Sequence, residues 1–156
     1  MQRSFTGLTR VRVYAISGKT TSETRNGTRT TRRDATTLES AETNFRTDYV
    51  FRNGATATHV KTWLSRFTAD VAGAIESEQP LPSGTWSMAG TSSWTRGANT
   101  YALTVTTSPP LHFNASCGAG PRFDSGTLIV VVVRGGRTAT VSIRFTGCGE
   151  YSVSRS

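Results

Sequence analysis

The last third of the chain combines a continuous apolar run with a run in which polar and apolar residues alternate. The run Leu128 to Val133 is followed by Arg134-Gly135-Gly136-Arg137 and then by Thr138 to Val141. A period of two indicates a β-strand, and a Gly-Gly pair between two such runs favours a two-residue hairpin turn. This segment therefore predicts a long antiparallel hairpin.

The two faces of this predicted hairpin differ in polarity. One face is wholly apolar and is expected in the core. On the other face the first arm is apolar and the second arm is polar, with Ile129, Val131 and Val133 against Thr138 and Thr140. A half-apolar face is unusual for a sheet that faces water. It is either covered by another layer of the domain or it is a docking surface, and these five residues form the candidate interaction surface.

An Asn-Gly pair at Asn26-Gly27 predicts a second hairpin, because both residues accept the positive φ of a type I′ turn. Its arms, Thr20 to Arg25 and Thr28 to Arg33, are almost wholly polar. A hairpin without an apolar face is marginal alone. We therefore expect it to lie at an edge, to project into solvent or to be held by a partner.

The pair Asn53-Gly54 predicts a third hairpin. A two-residue turn there sets Tyr49 opposite Thr58 and Thr47 opposite Val60, on a face expected to be buried. The same register leaves His59 and Lys61, together with the other residues at every second position of that strand, on the opposite, polar face.

The remaining segments also favour strands. Residues 5–16 alternate, with Val11, Val13 and Ala15 on one face. Residues 59–75 predict a strand to about Phe67 or Thr68, followed by a loop or short helix. Further predictions are two strands within 85–107 joined around Arg96-Gly97-Ala98-Asn99, a short strand over 112–116 and a loop over 118–121.

Together these segments predict an all-β fold, either an antiparallel β-sandwich or an open, barrel-like sheet stack of about eight to ten strands. A loop or short helix is expected near residues 68–84. A length of 156 residues suits one domain over 1–156. The Pro-containing loop at 76–84 is where such a domain would subdivide.

The composition fits exposed sheets better than a thick core. Only 35% of the residues are apolar, against roughly 45–50% in soluble domains by a count that includes Gly. The chain has 27 Thr and 15 Gly. Threonine is a polar strand former, so it replaces part of the missing hydrophobic residues.

The chain is basic, with a net charge of +8 and 16 Arg against 2 Lys. Such a balance can indicate nucleic acid or an anionic membrane surface as a partner. One local cluster, Arg29, Arg32 and Arg33, is a candidate basic patch. The alternative is that outward arginines keep the sheet soluble and discourage edge pairing.

Cys117 and Cys148 are the two cysteines, and neither belongs to a CxxC pair. With only two histidines, a zinc site is not favoured. The sequence predicts either a disulfide, which implies an oxidising compartment, or two partly buried thiols in the cytosol. No run reaches the roughly 20 apolar residues of a membrane-spanning helix, and the first residues predict a strand rather than a signal peptide.

Catalytic motifs are not recognisable in the sequence. It has no phosphate-binding glycine loop, HExxH or GxSxG pattern. His59 is expected at the surface and His112 in a structural role, although a triad assembled in space stays open. Local carboxylate sets, Glu39/Glu42 and Asp70/Glu76/Glu78, are expected to be solvated.

Two further binding chemistries are open. Trp86, Trp94 and Tyr101 could stack on sugar rings or lie in the core. Thr-x-Thr pairs could bind ice if they formed a flat and regular ladder, but their spacing along the chain is irregular. These pairs are Thr28/Thr30, Thr56/Thr58, Thr104/Thr106 and Thr138/Thr140.

A series of short motifs runs through the C-terminal half: Gly84-Thr85-Trp86, Gly90-Thr91, Arg96 to Tyr101, Pro109-Pro110-Leu111, Cys117, Ser125 to Leu128 and Phe145 to Gly149. Over roughly residues 84–155 this order resembles a group of Thr/Gly-rich all-β domains of uncharacterised bacterial lipoproteins and secreted proteins. The resemblance implies an extracytoplasmic location and a Cys117–Cys148 bridge, and it implies no activity.

The sequence thus predicts a non-enzymatic structural or interaction protein in the periplasm or outside a bacterial cell, associated with the cell envelope. Its expected partners are proteins, in a larger assembly at a membrane surface that it stabilises as an accessory subunit. No cofactor and no small-molecule substrate are predicted. The first alternative is a carbohydrate-binding module, and nucleic-acid or ice binding is less favoured.

Overall fold

The computed structural model describes residues 2–14, 19–118 and 122–156, with only the backbone of Phe5. All regular structure in these residues is β, which confirms the predicted fold class. The strands are β1 (Gln2–Val13), β2 (Thr20–Arg33), β3 (Thr37–Val50), β4 (Thr56–Ala69), β5 (Gly84–Arg96), β6 (Asn99–Thr107), β7 (Leu111–Phe113), β8 (Phe123–Arg134), β9 (Arg137–Gly147) and β10 (Glu150–Arg155).

The segment between β4 and β5 is a loop without a helix, within the range where a loop or short helix was predicted. The predicted end of the first strand at residues 15–16 lies outside the described residues, as do residues 119–121 of the predicted loop. Ala15, assigned above to the face of Val11 and Val13, falls in the first of these gaps.

All ten strands belong to one antiparallel sheet, in which each strand pairs with the next along the chain except that β6 pairs with β8 rather than with β7. Strands β6 and β7 share one position between β5 and β8, because β7 pairs with both of these beyond the end of β6. The interruption between them contains Ser108-Pro109-Pro110, and proline lacks the amide that a ladder needs. Among the described strands, β1 pairs only with β2 and β10 only with β9.

The two faces of the sheet differ in burial. Residues paired across antiparallel strands share a face, so the register assigns every regular strand position to one side. All strand residues that are buried lie on one face, which we call the inner face; examples are Phe45, Ala57, Phe67 and Val105. The opposite, outer face has no buried residue in the described strands.

The core lies at one end of the inner face, under the loop between β4 and β5. Ile75 of this loop is buried against Phe67, and Leu81 and Trp86 pack beside them. Aromatic rings then continue across the sheet in edge-to-face contacts, from Phe67 through Trp86 to Phe123 at centroid distances of 5.8 and 6.2 Å. Beyond this end most inner-face residues, such as Val130, are only partly buried, although Phe45, Ala57 and Val105 are buried.

Four glycine-containing turns were predicted, and two of them are present as expected. Arg134 pairs with Arg137 across Gly135-Gly136, and both glycines have positive φ. Arg96 pairs with Asn99 across Gly97-Ala98. These two hairpin turns lie side by side at the sheet end opposite the core, because β6 pairs with β8.

The prediction of a hairpin at Asn26-Gly27 is wrong. Both residues lie inside β2, which pairs along its length with β1 and β3. Gly27 has φ +129°, and the register shifts there on both sides. Positive φ serves a β-bulge as well as a turn, and the neighbouring strands are bulged at the same level, at Gly7 and at Asn44. The polar arms are thus one continuous strand held on both sides.

The hairpin at Asn53-Gly54 is present, but its predicted register is wrong by one residue. The loop contains Arg52 as well, since the Phe51 amide donates to the Ala55 carbonyl at 2.8 Å. Because one residue of shift moves side chains to the opposite face, Thr47 pairs with His59. His59 and Lys61 therefore lie on the inner face, where the sequence placed Thr58 and Val60.

The Sγ atoms of Cys117 and Cys148 are 2.01 Å apart, which is the distance of a disulfide bond. The pair joins the segment after β7 to the turn between β9 and β10. The predicted pairing is therefore confirmed at bonding distance.

Candidate functional site

Aromatic side chains gather on the inner face at the sheet end opposite the core. Tyr49 and Trp94 lie 5.2 Å apart by ring centroid, and Trp94 and Tyr101 lie 6.5 Å apart with planes only 18° from parallel. Phe51, just after β3, stacks beside Tyr49 at 6.2 Å. We call Tyr49, Phe51, Trp94 and Tyr101 the aromatic cluster.

The register explains how this cluster assembles. The short turn at Gly97-Ala98 places Tyr101 directly opposite Trp94. The loop at Asn53-Gly54 sets Thr47 opposite His59, which is itself opposite Trp94. Two hairpin loops at the same sheet end thus bring side chains from three strands together.

Arginines surround the aromatic cluster. The guanidinium of Arg96 lies over the Phe51 ring, 4.7 Å from its centroid, and Arg134 pairs with Tyr101 in the register. These two arginines, Trp94 and Tyr101 line an open cavity of about 670 Å³ between the two hairpin turns. A second cavity of about 350 Å³ adjoins it, with Arg96 in the wall of both.

His59 lies beside the aromatic cluster and contacts a serine. Its Nε2 is 2.7 Å from Ser92 Oγ, and its ring is 5.9 Å from Trp94. Burial, followed by the charge of Lys61, lowers the pKa of His59. The second nitrogen of this ring has no hydrogen bond to a described residue, so the third member of a catalytic triad is missing here.

The predicted basic patch is divided between the two faces. Arg29 and Arg33 lie on the inner face and Arg32 on the outer face, because successive strand residues alternate. Arg29 is moreover bound to the buried Glu42, to which its Nε donates at 2.7 Å. Lys61 also contacts Glu42, at 2.5 Å. Desolvation acts to raise the pKa of Glu42, but the hydrogen bonds from Lys61 and Arg29 outweigh it and lower the pKa.

The candidate interaction surface lies together on the outer face. Val131 pairs with Thr140 and Val133 with Thr138, and Ile129 precedes them on the same side of β8. Val133 is 41% exposed. In the described part of the chain no strand, helix or loop forms a second layer over these residues.

These five residues belong to a larger area without charge. On the outer face, Thr58, Val60, Thr62 and Leu64 of β4 pair strand by strand with residues of the strands up to β9. All residues in these rows are Thr, Ser, Ala, Val, Ile or Leu. We call this area the uncharged patch. Its members are Thr58, Val60, Thr62, Leu64, Ala89, Thr91, Ser93, Thr95, Thr100, Ala102, Thr104, Thr106, Ile129, Val131, Val133, Thr138, Thr140 and Ser142.

All four Thr-x-Thr pairs lie on the outer face. Their rows across the sheet are interrupted, since Thr104 is followed by Val131 before Thr140. Ala89 and Ala102 break the neighbouring rows in the same way. The ice-binding alternative therefore gains no unbroken threonine ladder from this register.

The three predicted sugar-stacking rings do not form one platform. Trp86 and Trp94 are on the same face of β5 but eight residues apart, which is about 27 Å along a strand. Trp86 lies in the core, where its indole N–H donates to Ser65 Oγ at 2.6 Å. Trp94 and Tyr101 do come together. Sequence reasoning missed Tyr49 and Phe51 as their neighbours.

His112 links the loop after β4 to the sheet. Its Nδ1 is 2.7 Å from Asp124 and its Nε2 is 2.9 Å from Asp70. Hydrogen bonds to Asp70 and then Asp124 raise the pKa of His112. Since both ring nitrogens are engaged, this arrangement leaves neither free to act as a general base.

The described residues hold no group of three or more His, Cys, Asp or Glu side chains placed to bind a metal ion. None of their secondary structure is a helix with the length and apolarity to cross a bilayer. The chain matches no protein-family model, no curated protein and no solved structure.

Proposed function

We propose that this protein is a non-enzymatic structural or interaction protein outside the cytoplasm, which docks through the uncharged patch on a protein partner. The partner would belong to a larger assembly at a membrane surface of a bacterial envelope. The observation that carries this proposal is the absence of charge over the patch in a chain with a net charge of +8.

Several properties of the patch suit a protein interface. Exposed sheet faces that only meet water usually carry charged residues, which keep them soluble and prevent association. The cores of protein interfaces are depleted of charge. Small β-branched side chains such as Val131 and Thr140 offer methyl groups for contact, and the threonine hydroxyl groups can form hydrogen bonds across an interface.

The single sheet also supports a partner. A sheet normally buries one face against a second layer, whereas among the described residues the loop before β5 alone covers part of the inner face. The two edge strands, β1 and β10, each have an unpaired edge among the described strands. Val13 of β1 is 68% exposed and Val153 of β10 is 57% exposed. An exposed edge can accept a strand from another chain.

The cysteine pair supports a location outside the cytosol. Disulfide bonds persist in oxidising compartments and are rare among reduced cytosolic proteins. Cys117 and Cys148 are the whole cysteine content of the chain, and they are at bonding distance from each other. A periplasmic or extracellular protein would keep that bond.

The test introduces charge into the uncharged patch. Val131→Asp/Val133→Asp should leave the isolated protein folded, with a β-type circular-dichroism spectrum, because these side chains face solvent. In native membrane extracts, the double variant should move from the high-mass fractions of a size-exclusion column to the position of the free chain. The matched control is Thr85→Asp/Thr146→Asp, which adds the same charge at exposed positions of β5 and β9 outside the uncharged patch and away from the sheet edges.

Two results would count against the proposal. If Val131→Asp/Val133→Asp unfolds the purified protein, the outer face is core and offers no docking surface. If wild-type protein from its native source elutes as a free chain, no assembly holds it.

A further inference from the structure

We propose that the aromatic cluster and its arginines bind an acidic polysaccharide, a chain of sugar rings that carry carboxylate groups. This site is on the inner face, whereas the uncharged patch is on the outer face. The cavity between the hairpin turns also reaches Thr100, Ala102 and Val133 at the margin of the uncharged patch, but the variants that test the two proposals change different residues.

The rings supply the contact for the sugar faces. Pyranose rings present C–H groups on both sides, and aromatic faces carry negative charge density that attracts such groups. Trp94 has ring neighbours on two sides, Tyr49 at 5.2 Å and Tyr101 at 6.5 Å. Tyr101 is 39% exposed. The cluster thus offers an accessible ring at its edge, that of Tyr101, with Trp94 packed beside it.

The arginines supply the contact for the carboxylates. Arg96 and Arg134 are exposed, and neither forms an ion pair with a described residue. The guanidinium carbon of Arg96 lies 4.7 Å from the centroid of the Phe51 ring. Guanidinium groups bind carboxylates through two parallel hydrogen bonds. A sugar ring on Trp94 and Tyr101 would place its acid group within the cavity that these arginines line.

The surroundings indicate a chain rather than a single sugar. The second cavity shares Arg96 with the cavity of about 670 Å³. A third cavity, of about 260 Å³, shares Phe51 with the second. Of the described residues that line these three cavities, Glu23 alone is acidic, and it is paired with Arg25 at 2.8 Å. Further cations line the second and third cavities: Arg10, Arg12, Lys19 and Arg52.

Single-stranded nucleic acid shares this chemistry, because bases also stack on aromatic rings and phosphates also bind arginine. The disulfide pair favours polysaccharide, since acidic polysaccharides are the polyanions of the cell exterior and nucleic acid belongs to the cytosol. Nucleic-acid binding is therefore an outcome of the test.

The experiment titrates polygalacturonate oligosaccharides into the full chain at low ionic strength, followed by tryptophan fluorescence and calorimetry. We expect saturable binding with a change in fluorescence from Trp94. The methyl esters of the same oligosaccharides keep the sugar rings and lose the charge. They should bind at least about tenfold more weakly, which is the change in affinity expected from the loss of one charge-assisted hydrogen bond.

Paired variants locate the site. Arg96→Ala/Arg134→Ala and, separately, Tyr101→Ala should each weaken binding at least about tenfold. The control Arg32→Ala/Arg144→Ala removes the same charge from exposed positions of the outer face and should change the affinity less than about twofold. Circular dichroism checks that each variant is folded.

Three results would overturn the proposal. The first is the absence of polygalacturonate binding at low salt. The second is equal weakening by the two arginine pairs, which would mean diffuse attraction to a basic protein. The third is an oligothymidylate that binds more tightly than polygalacturonate and is lost with the same variants.

Discussion

At the scale of single residues, His112 joins the loop after β4 to the sheet through two carboxylates. It bonds to Asp70, which follows β4, and to Asp124 in β8. Asn114 donates to the second oxygen of Asp124 at 2.8 Å. Desolvation acts to raise the pKa of Asp124, but the bonds from His112 and Asn114 lower it. This group fastens the loop that covers the core.

His112→Gln should therefore destabilise the protein in a pH-dependent way. The folded-state pKa of His112 is raised above its ordinary 6.5, so its stabilisation is complete below pH 6.5 and is lost as pH rises through the raised value. In urea unfolding, the free energy of unfolding of the variant should fall further below that of the wild type at pH 6 than at pH 9. In the control His59→Gln the pH trend should be reversed, because the pKa of His59 is lowered. An equal deficit for His112→Gln at both pH values would contradict the prediction.

At the scale of elements, three neighbouring strands share a bulged level. Gly7 in β1, Gly27 in β2 and Asn44 in β3 all have positive φ, and the register shifts at this level in each strand pair. The Asn26 side chain accepts a hydrogen bond from the Gly7 amide at 2.8 Å. Bulges bend a strand and increase its twist, so this level bends the N-terminal part of the sheet.

Gly27→Ala should damage this level far more than Gly7→Ala. A Cβ at Gly27 would lie 2.7 Å from the Phe45 Cα, whereas a Cβ at Gly7 would meet nothing within 4 Å. Both substitutions carry the cost of left-handed backbone, about 1–2 kcal/mol. The backbone clash should increase the loss in free energy of unfolding for Gly27→Ala to about 3 kcal/mol or more. Chemical denaturation measures both, and equal losses would show that the strands move apart to accept the methyl group.

The sequence predicts an element well where a local pattern decides it. The period of two and the pairs Gly135-Gly136 and Gly97-Ala98 were sufficient for the C-terminal hairpins and for the contact of Trp94 with Tyr101. Asn26-Gly27 shows the limit. An Asn-Gly pair suits both a turn and a bulge, and pairing with distant strands decides between them.

The candidate site was predictable in part for the same reason. Arg52 adds one residue to the loop at Asn53-Gly54, and that residue alone brings His59 to the inner face beside Trp94. Trp86 resembles Trp94 in its local sequence. Its burial depends on Ile75 and Leu81 of a loop whose path no periodic pattern indicates.

At the scale of the whole molecule, a long sheet is stabilised by a small core. The fully buried large side chains among the described residues are Phe67 and Leu111. Most of the apolar inner face is only partly covered, so hydrophobic burial contributes less than in a two-layer domain. A cross-link between distant parts of the chain therefore matters more here than in a protein with a thick core.

The link between Cys117 and Cys148 closes a loop with a sequence separation of 31. On the chain-entropy model a disulfide that closes such a loop stabilises the folded state by about 3–4 kcal/mol. For a chain of this length, losing that stabilisation corresponds to a fall in Tm of about 10 °C. Cys117→Ser/Cys148→Ser should show that fall, and reductant should lower the Tm of the wild type by a similar amount. The double variant is its own control for the reductant, since its Tm should not respond. A wild-type Tm that reductant leaves unchanged would mean that the core and the ladder of backbone hydrogen bonds hold the sheet without the bridge.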